Sequence, residues 1–528
     1  MPQGIPLRIN IAAHFLDGPA SAHPQRIAIA GEGPAFTYAQ LAELSQRAAG
    51  AFAASGARPG DRVLIVLPDS ADFIAAFFGA ARTGAIPVPV NPQSRRADYE
   101  HYLADTGARI AVVHHAALAE FSRAAKAAPD CRVFLCGDAP NDALSARIDR
   151  WTEALSSASL AAGVHDTSAG DAAFILYTSG SGGRPKGAVH AHKDMLVCAE
   201  NYAQRVLGLW SDDVMFSVSK LFFAYGLGNG MYFPFSVGAT TILDPERPRA
   251  DRALEIVARN RPTVFFSVPT FYAALLAQAE KTHADFSSVR LAVSAGEPLP
   301  AEIFERFRSR FGIEILDGIG STEMLHIFIS SRPGRARPGS CGVPVPGYEA
   351  KIVDEAGAEL SAGEIGNLLV RGESAFAEYW GIPELTARTK RSGWVLTGDK
   401  FLRDLDGYFH YCGRADDMMK VSGMWVSPGE VENALLGHPH VAEAAVVAEY
   451  DQDGLARPVA YVVLRASATA DVRSAHDLRE FVHAKLAGYK CPHEIRFISE
   501  LPKTATGKIQ RFLLRDRARD AGARPSPS

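Results

Sequence analysis

Residues 174–187 read FILYTSGSGGRPKG, an apolar run that turns into small hydroxyl and glycine residues and ends on Arg184, Pro185 and Lys186. Glycines let backbone N–H groups turn toward an anion, hydroxyls add donors, and a lysine adds charge. The composition suits a polyphosphate, with Thr178, Ser179, Gly180, Ser181 and Lys186 as candidate ligands. It is not a Walker A loop, which needs GxxxxGK followed by Ser or Thr. Further polar runs follow: SAGEPLP at 294–300, DGIGSTEM at 317–324, TGD at 397–399, YCGRADDMMKVSG at 411–423 and PKTATGKIQR at 502–511. Taken singly, each has an ordinary reading. Thr322–Glu323 would be a turn at a helix start, TGD a turn, Arg414–Asp417 a solvated charge cluster and Lys508 a surface lysine. The chain has no GxSxG elbow for a serine nucleophile. Its six cysteines form no CxxC pair, and His190 and His192 have no evident third metal ligand, so they read as packing or loop anchoring.

Together, and in this order from residue 174 to residue 511, the runs resemble the sequence blocks of the adenylate-forming superfamily. That group includes acyl-CoA synthetases, luciferases and peptide-synthetase adenylation domains. The resemblance implies a role for each block. Ala295, Gly296 and Glu297 would wall the adenine. Asp317, Gly318, Ile319, Gly320 and Ser321 would line the nucleotide, with Thr322 on the α-phosphate and Glu323 on Mg²⁺, a hard cation that wants oxygen. Asp399 would accept hydrogen bonds from both ribose hydroxyls, and Arg414 would also touch the ribose. Asp416 would be the hinge between a large domain, residues 1–415, and a small lid domain, residues 416–528. Lys420, Val421, Ser422 and Gly423 would belong to the loop that swings in for thioester formation. Lys508 would stand between the attacking carboxylate and the α-phosphate, where a cation lowers anion–anion repulsion in the transition state. One departure is Gly182, where the family usually has a hydroxyl residue; one phosphate donor is lost there.

SVSKLFFAYGLGNGMYFP at 217–234 and GSTEMLHIF at 320–328 closely resemble the benzoate–CoA ligase branch, hydroxybenzoate relatives included. That resemblance sets Phe223, Ala224, Tyr225, Gly226, Ala295, Gly320, His326, Ile327 and Lys508 around the acyl group, with Val268 beside them. Phe223 stands where many members carry histidine. Rings and small apolar residues make a flat slot for an aromatic acid, and Tyr225 or His326 could meet a ring hydroxyl or amine. The implied reaction consumes ATP and coenzyme A with Mg²⁺ and makes an acyl-adenylate before the aryl-CoA. The alternative is an aryl-acid adenylating enzyme that loads a separate carrier protein. A non-catalytic adenylate binder would not need both Glu323 and Lys508, and the benzoate-type segment argues against an oxidative luciferase-like activity.

These residues need a scaffold. A chain of 528 residues exceeds one core, so at least two domains are expected. Helix-spaced apolar residues at 38–57 precede a strand–helix–strand pattern at 61–90 that recurs at 100–135 and 252–295, which predicts parallel sheets. After about residue 340, short alternating runs separated by turns predict a small antiparallel β-subdomain, and from about 417 a compact α+β piece follows. The expected class is α/β: a large N-terminal domain of parallel-type sheets plus a β-subdomain, then a small mobile α+β C-terminal domain. A formal charge of −4 gives no reason to expect nucleic acid or an acidic membrane surface. The N-terminus does not read as a signal peptide, and the longest apolar runs are far too short to span a bilayer, so a cytoplasmic protein with reduced thiols is expected. Monomer and homo-oligomer both stay open.

Overall fold

The computed structural model describes residues 5–138, 147–161, 163–178, 184–415, 417–421, 424–450, 456–465, 468–503 and 509–515. The N-terminal alternation folds as expected into a five-stranded parallel sheet. Its order is Ile86–Pro89, Arg62–Val66, Ile110–His114, Arg132–Cys136 and Ile148–Arg150. The helix Ala71–Arg82 starts where the Ser70 hydroxyl accepts from the Phe73 amide. It is apolar on nearly every side because it lies inside: Phe73, Phe77 and Phe78 are fully buried, and Phe77 and Phe78 meet Phe174 and Phe235. The helix Tyr38–Ala54 packs beside it, opened by a Thr37–Gln40 capping box.

The strands from 214 onward form a different sheet, which the local pattern does not announce. It has nine strands, and its centre, Ile315–Gly320, Leu291–Ser294, Val264–Ser267, Val214–Ser217, Thr240–Leu243 and Ile27–Gly31, is parallel throughout. The central strands are buried along most of their length, which is why they read as continuous apolar runs. Antiparallel strands finish both edges. The phosphate-loop candidate joins the two strands of a hairpin, Ala172–Thr178 and Lys186–Ala191. Residues 376–380 run along the second strand: Ala377 N–H donates to the Val189 carbonyl (2.8 Å) and Trp380 N–H to that of Gly187 (2.7 Å).

The β-subdomain is antiparallel, as expected, with Tyr348–Val353, Gly366–Gly372, Trp394–Arg403 and Phe409–Arg414 as its main strands. The C-terminal piece is α+β. Strands Val441–Tyr450, Ala456–Leu464 and Glu494–Phe497 carry the helices Pro428–Leu436 and Val472–His483 on a separate core of Val431, Leu435, Val446, Val462, Leu478 and Val482. Its other face buries Tyr461, Leu501 and Leu514. No described helix is long and apolar enough to cross a membrane. All six cysteines are free thiols, five of them buried.

Candidate active site

Parallel neighbours in the large sheet end together, so the segments leaving their C-terminal edges converge. Val214–Ser217 leads to Phe223–Gly226, Val264–Ser267 to Val268, Leu291–Ser294 to Ala295–Glu297, and Ile315–Gly320 runs into Ser321–Glu323. Register aligns Ser267 with Ser294 and Ser294 with Asp317. The aliphatic Val268 Cγ1 comes within 3.8 Å of the point where a side chain on Gly296 would begin. Gly320 has a steric reason. The antiparallel return strand Ile327–Ser330 passes so close that a Cβ there would sit 2.5 Å from the His326 carbonyl oxygen. Asp317 is buried, its Oδ1 has no partner among the described residues, and burial holds its carboxyl well above the usual carboxylate range.

Glu323 and Thr322 lie in a single 3₁₀ turn, Thr322–Met324, too short to hold itself, and neighbouring elements grip it. His190 Nε2 donates to the Thr322 carbonyl (2.7 Å), and the Phe376 amide donates to that of Glu323 (2.7 Å). Ser374 Oγ donates to the Met324 carbonyl (2.8 Å). Tyr379 Oη donates to Glu323 Oε1 at 2.6 Å, and the same ring lies 6.0 Å from Lys186 Nζ. The turn exits through Leu325 at φ +68°, a conformation uncommon for a residue with a side chain and costly to hold. Asp399 pairs across its ladder with Arg414, whose Nη1 lies 3.1 Å from Asp399 Oδ1 and also donates to the Thr397 carbonyl. Burial raises the Asp399 carboxyl above its ordinary value, and the nearby Glu323 charge adds to this against the pull of Arg414. Thr322, Glu323, Tyr379, Lys186, Asp399 and Arg414 therefore share one neighbourhood, although they come from five separate segments.

The other side of the turn is aromatic. His326 is buried among Tyr202, Tyr225 and Phe233, with ring centroids 5.5, 5.4 and 4.4 Å away. Its Nε2 faces two acceptors, the Tyr225 carbonyl (3.3 Å) and Asn229 Oδ1 (3.2 Å), so Nε2 carries the hydrogen. Nδ1 is then a bare lone pair with no partner among the described residues. Burial pushes the ring pKa down to about 3, so the imidazole is neutral. Gly228 makes this packing possible, since a Cβ there would fall 2.5 Å from His326 Cδ2. Tyr225 Oη donates to the Ser267 carbonyl (3.2 Å), tying the Phe223–Gly226 segment to the sheet edge. Phe223, Ala224 and Tyr225 are half-buried beside this cluster; Gly226 and Ile327 are buried.

Of the described residues singled out in the sequence, residues 223–226, 268, 295–297 and 317–323 lie on segments at or leaving one edge of the large sheet, and Thr178 pairs with Lys186 at the hairpin's open end. Ser179, Gly180, Ser181, Gly182, Asp416, Ser422, Gly423 and Lys508 lie outside the described residues. Lys420 and Val421 fall in a strand, Met419–Val421. His190 and His192 are anchors rather than metal ligands: His192 Nδ1 accepts from the Ile11 amide (3.3 Å). Among the described residues no group of three His, Cys, Asp or Glu side chains is placed to hold a metal ion. Sequence reasoning missed Tyr379 and Asn229. Tyr379 stands in no run of chemical character, and Asn229, although inside the 217–234 run, has no signal of its own; the approach of distant segments gives both a role.

A hairpin flanking the phosphate-loop candidate and a Thr-Glu turn beside a parallel-sheet edge fit a nucleotide-dependent acid-activating enzyme. The chain belongs to the AMP-binding enzyme family: the family model matches residues 16–380, and the model of the family's C-terminal domain matches residues 430–508. It is 45% identical to a benzoate–CoA ligase of Thauera aromatica over 483 residues, 91% of this chain and 90% of that one. A solved benzoate CoA ligase from Burkholderia xenovorans LB400 superposes with a TM-score of 0.89 at 42% identity, covering 96% of this chain and 100% of the other. The anthranilate CoA ligase AuaEII, solved with anthranoyl-AMP, gives a TM-score of 0.93 at 38% identity over 98% and 99% of the two chains.

Proposed function

We propose that this chain is an AMP-forming acid–CoA ligase that converts benzoate or a close aromatic carboxylate, ATP and CoA to aryl-CoA, AMP and pyrophosphate. The observation that carries the reading is the junction at residues 320–327. A turn whose side chains suit a triphosphate continues directly into a neutral, ring-walled cluster at His326. Likeness to aryl-acid CoA ligases along nearly the whole chain supports it and disfavours a carrier-loading role.

In the first half-reaction a carboxylate oxygen attacks the α-phosphorus and pyrophosphate leaves with its electron pair. In the second, the CoA thiol adds to the acyl carbon, loses its proton and expels AMP. Lys186 would meet the outgoing phosphates and Thr322 the α-phosphate. Lys508 would sit between the two anions, where its charge matters most as they approach. The Asp399–Arg414 pair would take the ribose, a diol matched to a carboxylate acceptor. Ala295, Gly296 and Glu297 would wall the adenine. Glu323 fits Mg²⁺, because it offers a carboxylate that Tyr379 orients through one oxygen only. When bound with ATP, that ion would offset triphosphate charge. Phe223, Ala224, Tyr225, Gly226, His326 and Ile327 would hold the ring and exclude water. Residues 1–415 and 416–528 would act as two bodies, turning at Asp416 to exchange Lys508 for the Lys420–Gly423 loop. Free thiols throughout fit a cytoplasmic setting.

The test is AMP release from ATP, with and without CoA, across benzoate, hydroxy-, amino- and chlorobenzoates, cyclohexanecarboxylate and a medium-chain fatty acid. CoA-dependent turnover confined to aromatic acids is expected. Adenylate that forms but ignores CoA would move the protein to the carrier-loading class.

A further inference from the structure

We infer that His190, gripped by Asp194, is a positioning residue for adenylate formation: it fixes the Thr322 turn against the strand that carries Lys186. His190 is fully buried, so it acts through another group and touches no substrate. Its two ring nitrogens face two different elements. Nδ1 lies 2.9 Å from Asp194 Oδ2, four residues on, and Nε2 lies 2.7 Å from the Thr322 carbonyl, 132 residues away. A carbonyl can only accept, so Nε2 must carry hydrogen, and the ring's orientation is then fixed from behind by the carboxylate. Asp194 is itself held, accepting from the Ala191 amide (3.0 Å) and from Lys193 Nζ (3.2 Å). The imidazole also stacks on Phe174 of the partner strand, 5.2 Å between centroids and 18° between planes.

The consequence is geometric. Lys186 and His190 occupy one strand, Lys186–Ala191, four residues apart, about 13 Å of extended chain. That strand is hydrogen-bonded on both sides, to Ala172–Thr178 and to residues 376–380, so it serves as a rigid spacer. At one end it presents the phosphate-loop lysine; at the other it holds the peptide that follows Thr322. The turn it holds has two 3₁₀ hydrogen bonds, from the Met324 amide to the Ser321 carbonyl (3.2 Å) and from the Leu325 amide to that of Thr322 (3.1 Å), and leaves through Leu325 at positive φ, so it has little stiffness of its own. Displacing that peptide by a fraction of an ångström would move the Thr322 hydroxyl and the Glu323 carboxylate together, and a positioning error of this kind is costly to a transition state.

The inference rests on the proposed reading in which Thr322 meets the α-phosphate, and the experiment separates the two. His190→Phe keeps the stacked ring and removes both hydrogen bonds, while His190→Gln restores a donor toward Thr322. Four quantities are measured: pyrophosphate release with the best aromatic acid, thioester formation from supplied aryl-adenylate and CoA, calorimetric affinity for Mg·ATP, and thermal unfolding. His190→Phe is expected to lose at least tenfold in pyrophosphate release and at least fivefold in Mg·ATP affinity. The acid KM and the thioester step should stay within twofold, and His190→Gln should recover most of the loss. Equal falls in both half-reactions, or a glutamine variant no better than phenylalanine, would overturn the inference. Should His190→Phe fail to fold, Asp194→Asn carries the same test, because it keeps an acceptor for Ala191 while loosening the ring. A wild-type protein silent with every aromatic acid would sink the proposed function alone; unchanged Mg·ATP affinity in His190→Phe would then sink this inference.

Discussion

Around His326 the site is held by packing, and around Glu323 it is held by single polar ties. The imidazole touches three aromatic rings, and its one hydrogen is already shared between two acceptors. On the phosphate side, Thr322 and Glu323 depend on one bond each from His190, Phe376 and Tyr379, which reach them from two segments, the strand Lys186–Ala191 and residues 376–380. The contrast follows from what each side must bind. An aromatic ring is recognised by shape and dryness, so a close-packed wall suffices. A triphosphate is recognised by charges at set distances, and those distances must be fixed between segments remote in sequence. Polar deletions that keep volume should therefore damage the phosphate side, and volume changes should damage the ring side.

The largest expected effect is at Lys508. Its replacement by alanine removes the cation proposed to stand between carboxylate and α-phosphate, and such transition-state contacts contribute about 3–4 kcal/mol, a few hundredfold in rate. Pyrophosphate release should fall by that order while supplied aryl-adenylate still reacts with CoA. Parallel loss of both steps would remove Lys508 from the first half-reaction. Next is Asp399→Asn, an exchange of charge at constant volume. A hydrogen bond to a charged group contributes about 1.5–3 kcal/mol, so the ATP KM should rise roughly tenfold or more with the acid KM unchanged. A rise in the acid KM instead would erase the division between the two sides. Ala224→Phe tests the ring side by volume alone. Overpacking costs about 1–3 kcal/mol, so the benzoate KM should rise several-fold with the ATP KM and unfolding temperature nearly unaltered. An unchanged acid profile would take Ala224 out of the pocket.

Much of this division was legible in the sequence, and the reason is local. Val63–Val66, Val264–Phe266 and Leu291–Val293 are apolar without a break because both faces of each strand are covered, and the phosphate and Thr-Glu runs are contiguous. What stayed hidden is what contacts at long range decide. Residues 62–150 and 214–320 have the same alternating texture, and only pairing shows that they build two sheets. Ile148–Arg150 is a half-buried edge strand with two charged residues of three, which carries no strand signal. Tyr379 acquires its role because residues 376–380 come to lie along the strand Lys186–Ala191. His190 could be read as an anchor, but what it anchors is 132 residues away.

The smallest expected effect concerns stability and tests whether the ring side is as dry as its packing implies. The His326 pKa is pushed down to about 3 by burial, against an ordinary value near 6.5 in an unfolded chain. Above pH 6.5 both states hold the neutral ring, and the favourable contribution of its burial is fully present. As pH falls from 6.5 toward 3, the unfolded chain takes up a proton that the folded chain refuses, so stability is lost at about 1.4 kcal/mol per pH unit. Tyr202 and Tyr225 beside the ring, and Tyr232 with its centroid 6.5 Å away, stay protonated across this range, since burial raises the pKa of each. His326→Phe removes this one proton from the balance. Its unfolding temperature, followed by calorimetry from pH 7 to pH 4, should therefore decline less steeply than that of the wild type, whatever the variant's stability at neutral pH. Equal slopes would mean that the folded site accepts the proton, which requires an acceptor or water at Nδ1, and the ring side would then be a wet pocket held by polar contacts like its neighbour.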